Sequence, residues 1–326
     1  MCEGKMEKIF DQLTNNRAKG IGVIGDSILD EYIYGQSVFN EIPIFISGKK
    51  HFYLGGAGNV AANVKRMTGS VRFITILSES NTCKTFNALL SDKDISKQHM
   101  VKDLSRDICH KKRLISNEKL IVRMDADYIA ELQEQTARSL LAEVKYAVKD
   151  INTLILSNYY KGCISDASFD QINYICQNHD VKLIVDCSRM HDFSDVFLLK
   201  PNKHEFENII GRTLENVDDI KKAGARFRKE NRIMNLLITM DEDGLIFFDE
   251  NGACHQMPSY CDFVSDPCGA GDSMIAAIAM CISSGVEIKT AVELSNYAAA
   301  VSCQNKGTYA VSLGDIKAIW EEKKNE

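Results

Sequence analysis

The sequence lacks the features that would direct it to a membrane or to a nucleic acid. No apolar run approaches the roughly 20 residues that span a bilayer. The formal net charge is -6, so no basic excess favours nucleic acid or an anionic lipid surface. The first residues are polar and mixed in charge, unlike a secretory signal peptide. We therefore expect a cytoplasmic protein with neither nucleic-acid nor membrane partners.

The chain also lacks the spacings of a disulfide framework or a zinc site. It has 11 cysteines, an odd number, and no C-x-x-C pair. Several cysteines, such as Cys281, stand inside apolar runs, which is typical of reduced thiols that pack as small hydrophobes. Cys254, His255, Cys261 and Cys268 are close in sequence, but their spacing matches no familiar zinc pattern.

Two common nucleotide motifs are missing or misplaced. No G-x-x-x-x-G-K-[ST] occurs, which excludes a P-loop. Gly20–Gly25 matches G-x-G-x-x-G literally, but its glycines fall inside a predicted strand and not in the turn between a strand and a helix. We therefore reject a nicotinamide-dependent dehydrogenase.

What the chain does contain is a regular alternation of short apolar runs and helical patterns. The runs are rich in Val, Ile and Leu, as in strands that are buried on both faces. The predicted strands are 21–25, 71–77, 153–157, 182–185, 196–199 and 236–239, and the helices between them include 57–67, 131–148, 168–177 and 217–230. This order predicts an α/β fold with a mostly parallel central sheet and helices on both faces, built as a single domain over residues 1–326.

Two segments interrupt that alternation. Residues 36–53 read as a strand without a following helix, and residues 108–125 read as a hairpin with a turn at Asn117 and Glu118. We predict that they form a small β-sheet that leaves the main layer. A second hairpin is expected around Asn251 and Gly252, a strong turn dipeptide.

Two glycine-rich segments could approach a ligand closely. The first is Gly55–Asn63; Asn59 could bind a polyol there, although a flexible turn before a helix explains it equally well. The second runs from Asp266 to Asp272 and precedes an almost fully apolar helix, so the N–H groups of Gly269, Ala270 and Gly271 could collect an anion. Asp272 itself could cap that helix or accept a proton from a nucleophile.

A possible metal site follows the strand at 196–199. Asn202 and Glu205 stand three residues apart, where an amide and a carboxylate can hold Mg²⁺ through its water ligands. The same spacing is that of a capping box at the start of a helix. The sequence leaves both interpretations open.

Taken together, these segments resemble the ribokinase/PfkB family of carbohydrate kinases over roughly Gly20 to Ser312. Within it, the chain is most similar to the kinases of D-glycero-D-manno-heptose 7-phosphate. The resemblance rests on Asp30, Gly55–Asn59, Asn202 with Glu205 and Gly269–Asp272, and on the segments 25–30, 34–35, 119–125, 156–162 and 199–202. The chain departs from the pattern at Val38–Pro43, at Asp186–Ser188 and at Cys268, where the family usually has Thr.

The resemblance implies a ribokinase-like fold in which residues 36–53 and 108–125 form a lid, and a homodimer formed through that lid. It implies ATP and Mg²⁺, with a monovalent cation such as K⁺ in some members. Asp272 would be the base, with Gly269, Ala270 and Gly271 stabilising the transferred phosphoryl group. The remaining assignments are Asp30, Gly55, Gly56 and Asn59 for the sugar; Lys161, Arg123 and Arg189 for a substrate phosphate; Thr239, Gly244 and Asn296 for the nucleotide; Asn202 and Glu205 for Mg²⁺; and Asp266 for the monovalent cation.

The expected reaction transfers the γ-phosphate of ATP to the C1 hydroxyl of heptose 7-phosphate, in the synthesis of ADP-heptose. Two alternatives remain at this stage. One is the same reaction on ribose, fructose 6-phosphate or a nucleoside. The other is a catalytically silent sugar-binding regulator of the same fold.

Overall fold

Buried apolar runs form most of the regular structure in the computed structural model, which describes residues 3–15, 20–39, 42–130, 132–187 and 192–324. Arg189 lies outside these residues. The strands are β1 Gly20–Gly25, β2 Ser27–Phe39, β3 Pro43–Gly56, β4 Arg72–Leu77, β5 Met100–Lys102, β6 Cys109–Ser116, β7 Lys119–Ala126, β8 Ile151–Asn158, β9 Lys182–Cys187, β10 Leu198–Leu199, β11 Asn235–Thr239, β12 Leu245–Phe248 and β13 Cys254–Met257. The helices are α1 Glu3–Asn15, α2 Ala57–Thr68, α3 Asn81–Asp92, α4 Glu134–Ala147, α5 Asp166–Asn178, α6 Lys203–Ile210, α7 Val217–Glu230, α8 Ala270–Ser283, α9 Ile288–Gln304 and α10 Leu313–Lys324.

In the described part of the chain, nine strands form the main sheet in the order β13-β12-β11-β10-β9-β8-β1-β4-β5. The seven strands from β11 to β5 pair in parallel, and the hairpin of β12 and β13 continues the sheet in antiparallel fashion. The predicted mostly parallel sheet is therefore confirmed. Ligands of such sheets bind beyond the carboxyl ends of the parallel strands, because the loops that connect them to the helices meet there.

Successive strand residues bury into two different hydrophobic layers. In β1, Val23 packs into the layer that includes α2, α8 and α9, while Ile24 packs into the layer of α4, α5 and α7. β8 repeats this alternation, with Ile155 on the first face and Leu154 on the second. Helices thus cover both faces, as parallel sheets require.

A second sheet of four strands, in the order β3-β2-β6-β7, leaves the main layer. The hairpin predicted at 108–125 is present as β6 and β7, and Asn117 and Glu118 adopt the positive φ angles of its turn, 49° and 62°. The single strand predicted at 36–53 is wrong, because two long antiparallel strands, β2 and β3, occupy residues 27–39 and 43–56. We call this four-stranded sheet the lid.

Several elements were not expected from the sequence, namely α3, β5 and α10. The literal glycine motif at Gly20–Gly25 lies in strand β1, which confirms that it opens no phosphate-binding helix. Among the described residues, no helix combines the length and apolar character that crossing a membrane would require.

Candidate active site

A cavity of about 770 Å³ opens beyond the carboxyl ends of β8 to β11 and reaches the N-terminus of α8. It is bordered by most of the residues predicted for the nucleotide, the metal and the chemical step. These are Asn202, Glu205, Thr239, Gly244, Gly269, Ala270, Gly271, Asp272 and Asn296. Residues that are far apart in the chain therefore border one cavity.

Asp272 lies at the deep end of this cavity, on the first turn of α8, and only 5% of its surface is exposed. Its Oδ2 accepts a hydrogen bond of 2.7 Å from Asn59 Nδ2, and its Oδ1 accepts one of 2.8 Å from the Tyr159 hydroxyl. Burial raises the pKa of this carboxyl above its ordinary value, while these two donors and Lys200 lower it. An oriented carboxylate with a raised pKa is suited to take a proton.

The chain enters α8 through Gly269, whose φ of 87° favours glycine. A Cβ atom at Gly269 would stand 2.7 Å from Asn59 Nδ2, so glycine also leaves room for the contact between Asn59 and Asp272. The amide of Ala270 makes a long bond of 3.4 Å to the Pro267 carbonyl. Within the described residues, the amides of Gly269 and Gly271 have no acceptor, so they remain free to bind an anion.

Asn202 and Glu205 form the capping box of α6. Glu205 Oε2 accepts from the Asn202 amide, and Asn202 Oδ1 accepts from the Glu205 amide, both at 2.8 Å. The two side chains also border the cavity. The capping contacts therefore leave both side chains in the cavity wall, and a role for them in binding Mg²⁺ through water stays a prediction.

Asp186 and Lys200, for which the sequence had given no role, form a buried ion pair in the same cavity. Lys200 Nζ lies 3.1 Å from Asp186 Oδ2, and a Cβ atom built on Gly271 would lie 3.3 Å from that ammonium group. Burial and the charges of Glu205 and Asp272 raise the pKa of Asp186, against the opposing effect of Lys200, to about 7. A lysine at this place is able to contact an anion bound at the N-terminus of α8.

Asp30 lies on the lid side of Asp272 and is held by an arginine. Its Oδ1 accepts a hydrogen bond from Arg113 Nη1, and a Cβ atom at Gly55 would overlap its carboxylate. Glycine at position 55 therefore leaves room for the Asp30 side chain, whereas a Cβ atom at Gly56 would meet the Asp26 carbonyl oxygen at 2.5 Å. Gly56 has a φ of 57°, and α2, which carries Asn59, begins directly after it.

Basic side chains cover the face of the lid that carries Asp30. Arg113 and Arg123 are direct cross-strand neighbours, as are Lys111 and Asp125. Arg123 forms a bidentate pair with Asp125, at 2.8 Å from Nε and 2.5 Å from Nη2. Lys111 Nζ lies 5.6 Å from the centre of the Tyr159 ring. The sequence did not single out Arg113 and Lys111, because residues 111–113 are all basic. Lys112, between them, faces the other side of the strand, so the basic run did not show which side chains face the site.

Lys161 is placed by a loop that wraps around a buried carboxylate. Asp26 follows β1, and it accepts hydrogen bonds from the amides of Tyr159, Lys161 and Cys163 at 2.8, 3.1 and 2.9 Å. The Lys161 ammonium group contacts Asp127. The sequence gave Asp26 no role, although a carboxylate directly after the first strand is a signal that could have been read.

Asp266, the predicted cation ligand, ties the loop before α8 to its surroundings. Its Oδ2 accepts hydrogen bonds of 3.0 Å from the Tyr32 hydroxyl and from the Gly307 amide, and its Oδ1 accepts one of 3.0 Å from the Cys268 amide. Arg113 Nη2 lies 3.4 Å from Cys268 Sγ, so this loop also contacts the lid. A role for Asp266 in cation binding stays a prediction.

Comparison with known proteins gives a consistent result. The model of the "pfkB family carbohydrate kinase" matches residues 20–314. "Bifunctional protein HldE" of a Nitratiruptor species is 27% identical over 300 residues, and its namesake from Aliarcobacter butzleri is 28% identical over 308 residues. These matches cover 90% and 92% of this chain but only 63% and 64% of the relatives' own length.

Solved structures show the same fold. Phosphofructokinase-2 from Escherichia coli, solved in complex with potassium, has a TM-score of 0.79 at 20% identity and covers 94% of this chain and 99% of its own. Ribokinase of Arabidopsis thaliana, complexed with ribose and ATP, has a TM-score of 0.71 at 20% identity and covers 93% and 98%. The expected ribokinase-like α/β fold is confirmed.

Proposed function

The chain belongs to the pfkB family of carbohydrate kinases, and from that membership we propose that it transfers the γ-phosphate of ATP to the C1 hydroxyl of heptose 7-phosphate. Membership gives the reaction class, a phosphoryl transfer that needs ATP and a divalent metal ion in general. The relatives named HldE support the heptose substrate, in agreement with the resemblance of the motifs. Because it depends on ATP, we place the reaction in the cytoplasm.

The observation that favours a phosphorylated substrate is the cross-strand pair of Arg113 and Arg123. Two like charges directly opposite each other destabilise a sheet by a few tenths to about 1 kcal/mol. Each arginine has a carboxylate partner, Asp30 or Asp125, yet Lys111 leaves an excess of positive charge on this face. Guanidinium groups match phosphate with two parallel hydrogen bonds. A sugar phosphate would use this face, whereas an unphosphorylated sugar would not.

Asp272 would act as the base, with the acceptor hydroxyl of the sugar beside it. Asp30, Gly55, Gly56 and Asn59 would then orient the sugar from the lid side. The free amides of Gly269 and Gly271, together with Lys200, would stabilise charge on the transferring phosphoryl group. Positioning and electrostatics contribute most of the rate in phosphoryl transfer, so preorganised donors are the expected machinery.

The residues of the cavity fit a magnesium ion. The carboxyl groups of Asp186 and Glu205 and the side-chain amide of Asn202 border the cavity, and Mg²⁺ takes oxygen ligands of these kinds. Among the described residues, no group of three or more acidic, His or Cys side chains is arranged as a closed metal site. Mg²⁺ usually keeps several waters and uses few protein ligands. When bound, it would neutralise charge on the nucleotide phosphates, with Asn202 and Glu205 as its outer contacts.

The far end of the cavity would hold the rest of the nucleotide. Thr239 and Gly244 flank a short turn after β11, and Asn296 on α9 donates a hydrogen bond of 2.7 Å to the Pro258 carbonyl. Ala299 and Ala300 on α9 also border this end. Small apolar side chains beside a few fixed polar groups are typical of a nucleotide-base pocket.

We also propose that two chains pair through their lids. Val122 and Met124 project from one face of the edge strand β7, with 44% and 46% of their surface exposed, and Leu120, beyond a β-bulge in the same strand, is 55% exposed. The opposite edge strand, β3, exposes Ile44 and Ile46. An apolar edge strand promotes pairing with another chain unless it is covered.

A panel of phosphate acceptors tests which substrate the protein phosphorylates. The purified protein would be assayed for ADP release with heptose 7-phosphate, heptose, fructose 6-phosphate, ribose and a nucleoside, and the phosphorylated position would be identified by NMR. We expect the highest kcat/KM with heptose 7-phosphate. Faster turnover of ribose or a nucleoside would show that heptose 7-phosphate is not the preferred substrate. No turnover with any acceptor would favour a catalytically silent sugar-binding regulator.

A charge-matched pair of variants tests the phosphate contact. Arg123→Gln should raise the KM for heptose 7-phosphate roughly tenfold or more, as expected for the loss of a charged hydrogen bond. Lys112→Gln removes the same charge from the opposite face of the lid, where Lys112 lies 4.0 Å from Glu31, and should leave that KM unchanged. Equal effects of the two variants would contradict the proposed site.

A further inference from the structure

Both carboxylate oxygens of Asp272 accept a hydrogen bond, and the two donors come from distant parts of the chain. Asn59 on α2 donates to Oδ2 at 2.7 Å, and Tyr159, directly after β8, donates to Oδ1 at 2.8 Å. We infer that Tyr159 is a positioning residue that fixes the Asp272 carboxylate in the orientation needed for proton transfer. This inference rests on the proposed role of Asp272 as the base.

The carboxylate of an aspartate needs such support because its last torsion is soft. The bond from Cβ to the carboxyl group joins an sp³ and an sp² atom, so its torsion has broad minima. A single donor to Oδ2 would leave the plane of the carboxylate free to rotate. A second donor on Oδ1 fixes that plane. Each carboxylate oxygen has two acceptor sites, so Asp272 can keep both donors and still accept the sugar hydroxyl.

The amide group of Asn59 is itself oriented by a neighbour. Asn63 Nδ2 donates to Asn59 Oδ1 at 3.2 Å and to the Asn59 carbonyl at 3.0 Å. Because its oxygen already accepts a hydrogen bond, Asn59 presents its Nδ2 to Asp272. Both donors to the base are thus preorganised by contacts that do not involve a ligand.

The position of Tyr159 is anchored to the main sheet. Its amide donates to Asp26, as do the amides of Lys161 and Cys163, and Asp26 is 2% exposed. Asp26 follows β1 and Tyr159 follows β8, and these two strands are hydrogen-bonded neighbours. The tyrosine therefore stands on a fixed loop, which is what a positioning residue requires.

The Tyr159 side chain contacts both the base and the lid. Lys111 of β6 lies over the ring, 5.6 Å from its centre, while the hydroxyl reaches Asp272. Although 37% of the Tyr159 surface is exposed, burial and then the charge of Asp272 raise its pKa well above the ordinary value. The phenol consequently stays protonated at the pH at which a kinase works, and it acts as a donor only.

The pKa of Asp272 distinguishes a positioning role of Tyr159 from a purely structural one. A purely structural role would leave that pKa unchanged. The hydrogen bond from Tyr159 lowers the pKa of Asp272, and so does the one from Asn59. Removing the hydroxyl alone should therefore raise the pKa of Asp272 further and loosen its orientation. The ring and its contact with Lys111 would remain.

The test is Tyr159→Phe. We expect kcat to fall roughly 10- to 100-fold, the range for losing a hydrogen bond to a charged group, with little change in the KM for ATP. The acid limb of the kcat profile should move to higher pH. Tyr174→Phe is the control, because Tyr174 lies on α5 and 68% of its surface is exposed. An unchanged kcat, or a lower kcat with an unmoved acid limb, would overturn the inference.

A second readout does not depend on turnover. The carboxyl carbon of Asp272 would be followed by ¹³C NMR in protein labelled at aspartate, with its resonance assigned from its loss in Asp272→Asn. We expect Tyr159→Phe to raise the pKa measured at this carbon and Tyr174→Phe to leave it unchanged. An unchanged pKa in Tyr159→Phe would refute the inference even if a sugar substrate is found. Failure of the acceptor panel, by contrast, would refute only the proposed function.

Discussion

Lys200 Nζ lies 3.1 Å from Asp186 Oδ2, and the two groups are buried at the end of the cavity that also holds Asp272. The position is unusual for a lysine, since only 4% of its surface is exposed. The charges of Asp186, Glu205 and Asp272 raise the pKa of Lys200 against the effect of burial. The ammonium group therefore stays charged beside the amides of the α8 N-terminus, where the phosphoryl group would be transferred.

Replacement of Lys200 should affect the chemical step more than the binding of substrates. For Lys200→Met we expect kcat to fall roughly 10²- to 10³-fold, as when one preorganised donor to a transition state is lost. The KM for the sugar phosphate should change little, because that phosphate would bind at the lid. Steady-state kinetics of Lys200→Met beside the exposed control Lys182→Met would measure the effect. Parallel losses in both variants would show that general charge, and not this contact, is responsible.

The Asp186 carboxyl should also make stability depend on pH. Its pKa is raised from 3.8 to about 7, so the folded state favours the protonated form. Stability from this group is therefore fully present below the unfolded pKa and is lost as pH rises through about 7. Between pH 3.8 and about pH 7, the free energy of unfolding of the wild type should fall relative to that of Asp186→Asn. Urea unfolding of both proteins across this range measures the difference, and a constant difference would refute the shift.

Asp272→Asn tests the proposed base directly. The amide has the size and shape of the carboxylate, so the fold and the affinity for ATP should be retained. Turnover should fall at least ~100-fold, because a positioned base typically contributes 10²- to 10⁴-fold. Kinase assays and calorimetric titration with ATP separate the two effects. Turnover close to that of the wild type would eliminate Asp272 as the base.

Much of the fold could be predicted from the sequence because parallel strands that are buried on both faces consist of short apolar runs. Leu236–Thr239 is one such run, and the structure extends it by a single residue. The lid could not be predicted in the same way. β2 and β3 are long strands with mixed polarity, since one face carries Asp30 and its site neighbours, so no simple alternation marked their starts.

The candidate site was predictable where local sequence fixes the geometry. Gly269 and Asp272 lie at a helix N-terminus, which a glycine before an apolar helix signals. Arg113 and Tyr159, by contrast, act through contacts 83 and 113 residues away. Their residue types alone did not indicate a functional role, because an arginine on a strand is usually solvated and a tyrosine in a loop usually packs against neighbouring apolar side chains.

Gly55→Ala should damage the sugar end of the site. A Cβ atom at this position would overlap the Asp30 carboxylate and stand 3.3 Å from Ile28 Cβ. Either Asp30 leaves Arg113 or the strand shifts, and such overpacking typically costs about 1–3 kcal/mol. We expect a lower unfolding temperature and a higher KM for the sugar. Gly314→Ala is the control, since its nearest neighbour would be 3.7 Å away. Wild-type values for Gly55→Ala would show that the overlap is relieved without consequence.

The apolar face of β7 makes the lid the place to test for self-association. Val122 lies beside Met124 on this face, and 44% of its surface is exposed. A charge at the centre of a paired apolar face is costly to desolvate, so Val122→Glu should convert a dimer into a monomer. Sedimentation equilibrium of the wild type and of Val122→Glu measures the change.

A matched substitution away from the lid distinguishes this effect from a general effect of added charge. Leu104 is 65% exposed and lies outside both lid hairpins, so Leu104→Glu should leave the mass unchanged. A monomeric wild type would contradict pairing of the lids. If Val122→Glu stayed dimeric, the chains would associate through another surface. Because β7 also carries Arg123 towards the sugar phosphate, loss of the dimer should raise the KM for that substrate as well.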